Sequence, residues 1–251
     1  MNIVTQIEKD LRELSNPARA RQNAYFFKTG PGHYGEGDKF IGVSVPDTRT
    51  VVRKYFENAT LVDVKELLYS PFHEMRLTGV LILVAKYSKA EVKAKTLIYK
   101  FYMANAKQVN NWDLVDSSAS YIVGEYISLH MEHEERLATI NKCIASKNLW
   151  VNRIIVLASF YQIKLGNPKM AFYIIPKFMD HKPRPNVPFG TGRHDLLNKA
   201  CGWMLREIGK ACGEKTLRLF LDKYYKTMPR TMLRYAVERL DTKTKEKYMK
   251  K

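Results

Sequence analysis

Apolar residues recur at helical spacing along almost the whole 251-residue chain, and no segment shows the period-2 alternation, bounded by hairpin turns, of a strand pair. Such a chain has to build its core by packing helices against helices, so we expect an all-α fold. The predicted helices cover residues 2–14, 17–28, 46–57, 60–69, 72–87, 90–107, 112–130, 134–146, 149–164, 168–179, 193–211, 214–226 and 229–239.

Several helical segments resemble one another. Each begins with a polar or basic turn and continues into an apolar helix. The four clearest are HEMRLTGVLIL from His73, LWVNRIIVLASF from Leu149, LLNKACGWMLRE from Leu196 and PRTMLRYAVERL from Pro229. An α-solenoid of HEAT/ARM-like helical repeats accounts for them, because each helix pair needs its neighbours to bury its second face. We therefore predict a single HEAT-like repeat domain over residues 1–251, with the charge run 242–251 as a frayed tail.

The chain carries a formal net charge of +17, and the charge is unevenly distributed. Residues 151–251 contain 22 Lys and Arg against 8 Asp and Glu, whereas residues 1–150 contain 20 against 17. A positive field of this kind favours a polyanion such as nucleic acid. Charge alone leaves two alternatives open, a basic protein with no such partner and a protein that meets an anionic membrane surface.

The sequence also indicates the setting in which the protein works. No apolar run approaches the roughly 20 residues that span a bilayer, and the N-terminus lacks the apolar core of a secretory signal. We expect a soluble, cytoplasmic protein that does not enter a membrane. The cysteines Cys143, Cys201 and Cys212 show no C-x-x-C spacing and should be reduced and structural.

Patterns for metals and cofactors are weak. His130 and His133 share a helix end without further ligands, and the segment from His73 lacks the second histidine of H-E-x-x-H. Gly30-Pro31-Gly32-His33-Tyr34-Gly35 matches the dinucleotide fingerprint in letters but has no preceding strand and no helix directly after it. We therefore predict no metal and no cofactor, and we interpret this segment as a structured loop.

A second loop, DHKPRPNVPFGTGRHD from Asp180, carries three basic residues, Lys182, Arg184 and Arg193. It is either a solvated linker or a loop that contacts phosphate. We favour phosphate contact because the loop lies between two helices of a basic segment.

The stretch NNWDLVDSS from Asn110 is the most specific in the chain. The spacing of Trp112 and Asp116 places an indole and a carboxylate on one helix face. With Arg153 and Trp203 from later repeats, they would suit a sugar-phosphate ligand, the indoles packing on deoxyribose and the arginine holding phosphate. The alternative is a core tryptophan with ordinary surface charges, and spacing alone leaves both interpretations open.

Four segments together resemble the AlkD-like DNA alkylation repair family, the HEAT-repeat alkylpurine DNA glycosylases. They are YFFKTGPGHYGEGDKFIGVSVPDTR, NNWDLVDS, LWVNRIIVL and NKACGWMLREIGK, and the similarity runs from about Ala20 to Leu240. The resemblance implies an α-solenoid that cups double-stranded DNA containing alkylated purines and hydrolyses the N-glycosidic bond of 3-methyladenine or 7-methylguanine, with the monomer as the working form.

The resemblance also implies roles for individual residues. Asp116 matches the family's catalytic carboxylate, Trp112 and Trp203 match its aromatic contacts to the lesion nucleotide, and Arg153 matches its backbone-contacting arginine. A family tyrosine maps to Tyr25 or to Phe26, and in the second case a hydroxyl contact is lost. The basic residues Lys199 and Arg206, which flank Trp203, are assigned to DNA contact as well.

The implied chemistry fits a single carboxylate. Alkylation at N3 or N7 turns the base into a cationic leaving group that needs no general acid, so one carboxylate can stabilise oxocarbenium character at C1′ and position water. Two other functions stay open from the residues alone. One is a non-catalytic HEAT-repeat protein that binds damaged or branched DNA, and the other is a protein-interaction scaffold.

Overall fold

The computed structural model of the protein describes residues 2–179 and 194–250. Within these ranges the regular secondary structure is helical, apart from one isolated bridge between Lys39 and Phe72. The chain divides into two compact units, Met1–Ser118 and Ala119–Lys251. The basic loop with Lys182, Arg184 and Arg193, for which we predicted phosphate contact, lies outside the described residues.

Unit 1 is built around a long central helix, α5, which is buried continuously over its first three turns and packs against α3 and α4. A short 3₁₀ turn at Ala106–Gln108 precedes the last helix of the unit. The helices of unit 1 are α1 Ile3–Glu13, α2 Pro17–Phe26, α3 Val45–Tyr55, α4 Leu61–Leu68, α5 His73–Lys89, α6 Val92–Ala104 and α7 Trp112–Asp116.

Unit 2 has two core helices, α10 and α13, which pack against each other, and α13 also contacts α14 and α15. A π-helical turn at Ser120–Gly124 opens the unit, and a 3₁₀ turn at Ile175–Phe178 follows α12. The helices of unit 2 are α8 Glu125–Leu129, α9 His133–Ile144, α10 Leu149–Ala158, α11 Phe160–Lys164, α12 Lys169–Ile174, α13 Asp195–Ala211, α14 Glu214–Tyr224, α15 Arg230–Ala236 and α16 Thr242–Met249.

The prediction of an all-α fold of helical repeats is confirmed, and most of the predicted helices agree with the structure within a few residues. Two of the similar segments also share a packing device. Gly79 and Gly202 occupy the same position in the segments that begin at His73 and Leu196. A Cβ on Gly79 would press on Leu67, and one on Gly202 would collide with the carbonyl of Met232, so both glycines allow close helix crossings. Assignment to the HEAT class and to one continuous domain stays a prediction.

Two predicted helices are interrupted, and hydroxyl side chains lie at both interruptions. Ser118 donates to the carbonyl of Leu114 at 2.7 Å just after α7 ends, and Ser159 donates to the carbonyl of Val156 at 2.6 Å between α10 and α11. Hydroxyls that bond back to the preceding turn compete with the helical ladder and bend or end helices. Apolar periodicity continues through both positions, so it could not show these breaks.

The three cysteines lie in α9, in α13 and directly after α13. Cys143, Cys201 and Cys212 form no disulfide. Burial raises the pKa of Cys143 to about 11 and that of Cys201 to about 12, so both stay as thiols. In the part of the chain that the structure describes, none of the helices combines the length and the apolar character needed to cross a bilayer.

The predicted frayed tail is wrong for its first eight residues, which form α16. Asp241 caps the helix by accepting from the amide of Thr244 at 3.0 Å. Tyr248 is only 1% exposed, packs edge-on against Tyr225 and donates to Asp222 at 2.8 Å. One buried aromatic residue anchors a helix whose other faces are charged, a contribution that a count of charges does not show.

We expect Tyr248→Ala to lower the free energy of unfolding by roughly 3–5 kcal/mol, because it empties a fully buried aromatic site. Lys250→Ala, two residues away on the exposed side, should change it by less than about 0.5 kcal/mol. Urea unfolding followed by circular dichroism measures both. Equal small effects of the two substitutions would mean that α16 does not contribute to the core.

Candidate functional site

Trp112 and Asp116 begin and end α7, a helix of only five residues. The side chain of Asn111 starts it by accepting from the amide of Trp112 at 2.8 Å. Both Trp112 and Asp116 are half-buried, so each side chain keeps a solvent-facing part. The predicted arrangement of an indole and a carboxylate one helical turn apart is therefore present.

The indole of Trp112 is held by three aromatic neighbours. Its ring stacks on Phe27 at 5.1 Å between centroids and 16° between planes, and Phe26 meets it edge-on at 5.9 Å. Its Nε1 donates to the hydroxyl of Tyr34 at 3.2 Å, and that hydroxyl lies 3.4 Å from the carbonyl of Phe26. Stacking and a directed hydrogen bond together fix the orientation of the ring.

Phe26 and Tyr25, the two predicted positions for the family tyrosine, differ in their surroundings. Phe26 is 61% exposed and contacts Trp112, whereas Tyr25 is 89% exposed. The hydroxyl at Trp112 comes instead from Tyr34, within the glycine-rich loop. The loop that we predicted to be structured thus takes part in the site, and no strand precedes it.

A buried polar cluster lies beneath this aromatic group, centred on His73 at the first position of α5. His73 is 2% exposed and stacks against Phe40 at 4.7 Å and Phe27 at 4.9 Å. Its Nε2 lies 2.7 Å from a carboxylate oxygen of Asp113, and its Nδ1 lies 3.5 Å from Asp38. The ring therefore bridges α7 and the glycine-rich loop.

Asp38 accepts hydrogen bonds from two more side chains. Arg76 donates to it at 2.7 Å and also to the carbonyl of Ser70 at 3.0 Å. The side-chain amide of Asn111 donates to Asp38 at 3.2 Å. Two cations, His73 and Arg76, thus face two carboxylates, Asp38 and Asp113, which is the charge balance that burial demands.

Protonation follows from these contacts. Burial by itself lowers the pKa of His73, but the charge and hydrogen bond of Asp113 and the bond to Asp38 outweigh burial and raise it to about 9. Burial by itself raises the pKa of Asp38, while the hydrogen bond from His73 and the charge of Arg76 bring it below its ordinary value. At neutral pH the cluster therefore consists of an imidazolium, a guanidinium and two carboxylates.

The backbone ties the loop to α5 as well. The amide of Lys39 donates to the carbonyl of Pro71 at 3.1 Å, and the amide of His73 donates to the carbonyl of Lys39 at 2.8 Å. The buried carboxylate of Glu74 accepts from the amides of Ile41 and Gly42 at 2.9 and 2.8 Å. The segment between α2 and α3 is thus a fixed part of unit 1.

Asp116 lies near a buried phenol. Tyr102 meets the hydroxyl of Ser118 at 2.8 Å inside the core. Burial raises the pKa of Tyr102 above its usual range, and the negative charge of Asp116 raises it further. The phenol stays neutral as a result, and the C-terminal end of α7 is anchored through Ser118.

The predicted residues of unit 2 lie mostly on α13. Trp203 is half-buried, donates from Nε1 to Glu207 at 3.2 Å and contacts Phe160 at 5.8 Å between ring centroids. Arg206 pairs with Glu238 at 2.5 Å and approaches Glu207 at 3.5 Å. Glu238 and Glu207 offset the charge of Arg206. Arg206 can therefore bind a phosphate only if it breaks its ion pairs with them.

Lys199 and Arg153 differ in accessibility. Lys199 lies one turn after Asp195 on α13, forms an ion pair with it at 2.6 Å and keeps part of its side chain exposed. Arg153 is only 5% exposed and donates to the carbonyl of Leu196 at 2.5 Å. Lys199 is thus placed to meet a ligand at the surface, while Arg153 supports the start of α13.

The structure joins some of the predicted residues within each unit. Phe26 and Trp112 are in contact in unit 1, and Trp203, Arg206 and Lys199 share α13 in unit 2. The convergence of the two groups on one ligand stays a prediction. Among residues 2–179 and 194–250 there is no group of His, Cys, Asp and Glu arranged to hold a metal ion.

Sequence reasoning missed four residues of unit 1, namely Asp38, His73, Asp113 and Tyr34. The HEMR start of α5 was interpreted as the beginning of a repeat and as an incomplete metal motif, although charged residues at the start of an apolar helix also indicate buried ion pairs. Asp113 lies in the NNWDLVDSS stretch, from which only Trp112 and Asp116 were assigned to a ligand. Tyr34 belongs to the loop that was compared with the dinucleotide fingerprint.

Comparisons with known proteins agree with one another. The family model for the DNA alkylation repair enzyme matches residues 7–240. A solved structure from Enterococcus faecalis, described as a predicted DNA alkylation repair enzyme, aligns with a TM-score of 0.63 at 14% sequence identity and covers 91% of this chain and 97% of its own. At that identity the likeness shows a shared fold. A search of curated proteins found no significant match.

We expect Asp38→Asn to destabilise unit 1 by roughly 3–5 kcal/mol, because it leaves the buried charges of His73 and Arg76 short of a partner. The matched control is Glu57→Gln, which removes an exposed ion pair with Lys89 and should cost less than about 1 kcal/mol. Urea unfolding at neutral pH gives both values.

The effect of Asp38→Asn also has a defined pH dependence. The pKa of Asp38 is lowered on folding, so its contribution is present at neutral pH and disappears as the pH falls through its folded pKa. The difference between wild type and variant should therefore shrink on acidification. A difference that is small at neutral pH, or that grows on acidification, would contradict the assigned cluster.

Proposed function

The chain belongs to the DNA alkylation repair enzyme family, and we propose that it is a glycosylase that hydrolyses the N-glycosidic bond of cationic N3- or N7-alkylated purines in duplex DNA. The observation that carries the proposal is the fixed indole of Trp112 on the same five-residue helix as the half-buried carboxylate of Asp116. The shared fold with the Enterococcus faecalis protein is consistent with it.

The proposed reaction needs one carboxylate. An alkylated purine leaves as a neutral base, so no general acid has to protonate it. As the glycosidic bond lengthens, positive charge develops at C1′, and the carboxylate of Asp116 stabilises that charge and orients the attacking water. The proton released by the water passes to solvent or to the carboxylate. A half-buried carboxylate suits this role because it is partly shielded from bulk water and still reachable.

Trp112 is the proposed contact to the lesion nucleotide. Stacking on Phe27 and the bond to Tyr34 leave the indole little freedom, so binding deoxyribose against it costs little additional ordering. The exposed ring of Phe26 beside it extends the apolar surface. We propose that the lesion is recognised through its sugar and backbone, with the base not enclosed.

We propose that unit 2 supplies most of the contacts to the DNA backbone. The excess of Lys and Arg after residue 150 favours phosphate, and release of counterions provides affinity without sequence preference. Lys199 is exposed enough to exchange Asp195 for a phosphate, and Trp203 offers a second aromatic surface. We propose that one copy of the chain suffices for binding and catalysis.

We expect Asp116→Asn to reduce the release of 7-methylguanine and 3-methyladenine from methylated duplex DNA by at least roughly 10²–10³-fold, as for loss of one electrostatic group aimed at a transition state. Chromatography of released bases under single-turnover conditions measures the rate. Glu57→Gln, a carboxylate change on the exposed surface of unit 1, is the control and should release base at the wild-type rate.

Two results would contradict the proposal. If wild-type protein binds methylated duplex with salt-sensitive affinity and releases no base, the protein is a non-catalytic DNA-binding member of its family. If Asp116→Asn releases base at the wild-type rate, another group carries out the chemistry.

We expect Lys199→Gln to weaken binding to methylated and unmethylated duplexes alike and to lower the salt slope of log K by about 0.9, the share of one phosphate contact. Lys9→Gln is the matched control, because Lys9 also lies in an exposed i, i+4 pair, with Glu13, but in unit 1. Fluorescence anisotropy over a range of salt concentrations measures both slopes. Equal slopes for wild type and Lys199→Gln would remove this residue from the interface.

A further inference from the structure

Helix α7 is too short to be stable by itself. Isolated helices shorter than about 12–15 residues are marginal in water, because nucleation fixes several residues for a single hydrogen bond. Trp112–Asp116 comprises five residues, and it carries both side chains that we assign to the lesion. Its orientation therefore depends on tertiary contacts, among them those with the rest of unit 1.

Contacts at the two ends of α7 differ in strength. At the C-terminal end, Ser118 and Tyr102 form a neutral hydrogen bond at 2.8 Å. At the N-terminal end, Asp113 binds the Nε2 of His73 at 2.7 Å, and Asn111 binds Asp38. Charge-assisted bonds are roughly twice as strong as neutral ones, so the bond between Asp113 and His73 is stronger than the bond between Ser118 and Tyr102.

His73 is the common point of that attachment. Its two ring nitrogens reach Asp113 on α7 and Asp38 on the glycine-rich loop, and its ring lies against Phe27, which in turn stacks on Trp112. We propose that His73 is a positioning residue, a buried imidazolium that holds Trp112 and Asp116 in their working orientation by tying α7 to the loop. This inference rests on the proposed function of those two residues.

The charge count of the cluster explains why the imidazolium has to be charged. With His73 protonated, two cations face two carboxylates, and with His73 neutral the buried cluster carries one uncompensated negative charge. The groups that face His73 are Asp38 from the loop, Asp113 from α7 and Arg76 from α5. Deprotonation would leave the ring one N–H for two carboxylates and would remove its attraction for both.

The sign of the pH dependence follows. The folded pKa of His73, about 9, lies above its ordinary value of 6.5, so its stabilising contribution is complete below pH 6.5 and is lost as the pH rises through about 9. Trp112 should respond over the same interval, because Phe27 and Asp113 link it to the ring.

The test uses aromatic ¹H–¹³C spectra of the full-length wild-type protein between pH 6 and pH 10. The chain has three tryptophans, so Trp→Phe substitutions assign the signals of Trp112, Trp150 and Trp203. We expect the His73 ring and Trp112 to titrate together near pH 9, with Trp150 and Trp203 unchanged. A His73 ring that titrates at or below pH 6.5, or a Trp112 signal that ignores the titration, would overturn the inference.

His73→Gln tests the same point by removing the charge. We expect the Trp112 signal to move and to lose its pH dependence, and base release at pH 7 to fall roughly 10- to 100-fold, the scale of a small misplacement of reacting groups. Affinity for duplex DNA should change less than threefold. His133→Gln, an exposed histidine at the start of α9, is the control and should match wild type.

A second variant keeps the inference testable if His73→Gln fails to fold. His73→Gln/Asp113→Asn restores the charge balance of the cluster, so it should regain stability while keeping the displaced Trp112 signal and the slow base release. Wild-type release rates in either variant, with Trp112 displaced, would show that the orientation set by His73 does not matter for the reaction. If wild-type protein releases no base, the proposed function fails, while the spectra still decide whether His73 holds Trp112.

Discussion

Unit 1 depends on one buried electrostatic arrangement, the imidazolium of His73 between the carboxylates of Asp113 and Asp38. Such an arrangement is costly, since an unpaired buried ion destabilises a protein by several kcal/mol. It is tolerated here because Arg76 and His73 are matched by two carboxylates, because the carbonyl of Ser70 accepts from Arg76, and because the side-chain amide of Asn111 donates to Asp38. Apolar side chains of similar shape could pack in the same space. They could not form the hydrogen bonds that join both α7 and the loop to His73.

Because Asp38 attaches the glycine-rich loop to His73, this loop is part of the candidate site. A segment with several glycines would ordinarily be a mobile connection between helices. Here Asp38 binds α5, the amides of Ile41 and Gly42 bind Glu74, and Tyr34 reaches back to the indole of Trp112. The loop supplies the indole of Trp112 with a hydroxyl, which the ring of Phe26 beside it cannot supply.

The sequence was sufficient to predict the helical fold, but it predicted only part of the candidate site. Periodicity predicted most of the helices because they bury an apolar stripe, and the spacing of one helical turn predicted that Trp112 and Asp116 share a helix face. The partners of His73 were not found, because Asp38 and Asp113 are 35 and 40 residues away and no spacing rule joins them. Tyr248 was missed for a related reason, since its burial depends on Tyr225 and Asp222 on another helix.

The distribution of charge in unit 1 is relevant to the proposal that Asp116 is the one carboxylate that the reaction needs. A cation close to Asp116 would compete with the developing charge at C1′ for the same carboxylate. Both cations of the buried cluster are instead matched by Asp38 and Asp113, so the cluster adds no net charge one helical turn from Asp116. The excess of Lys and Arg lies after residue 150, in the part of the chain that we propose contacts phosphate. If Asp116 acts as proposed, the cluster therefore orients α7 without adding a net positive charge of its own beside that carboxylate.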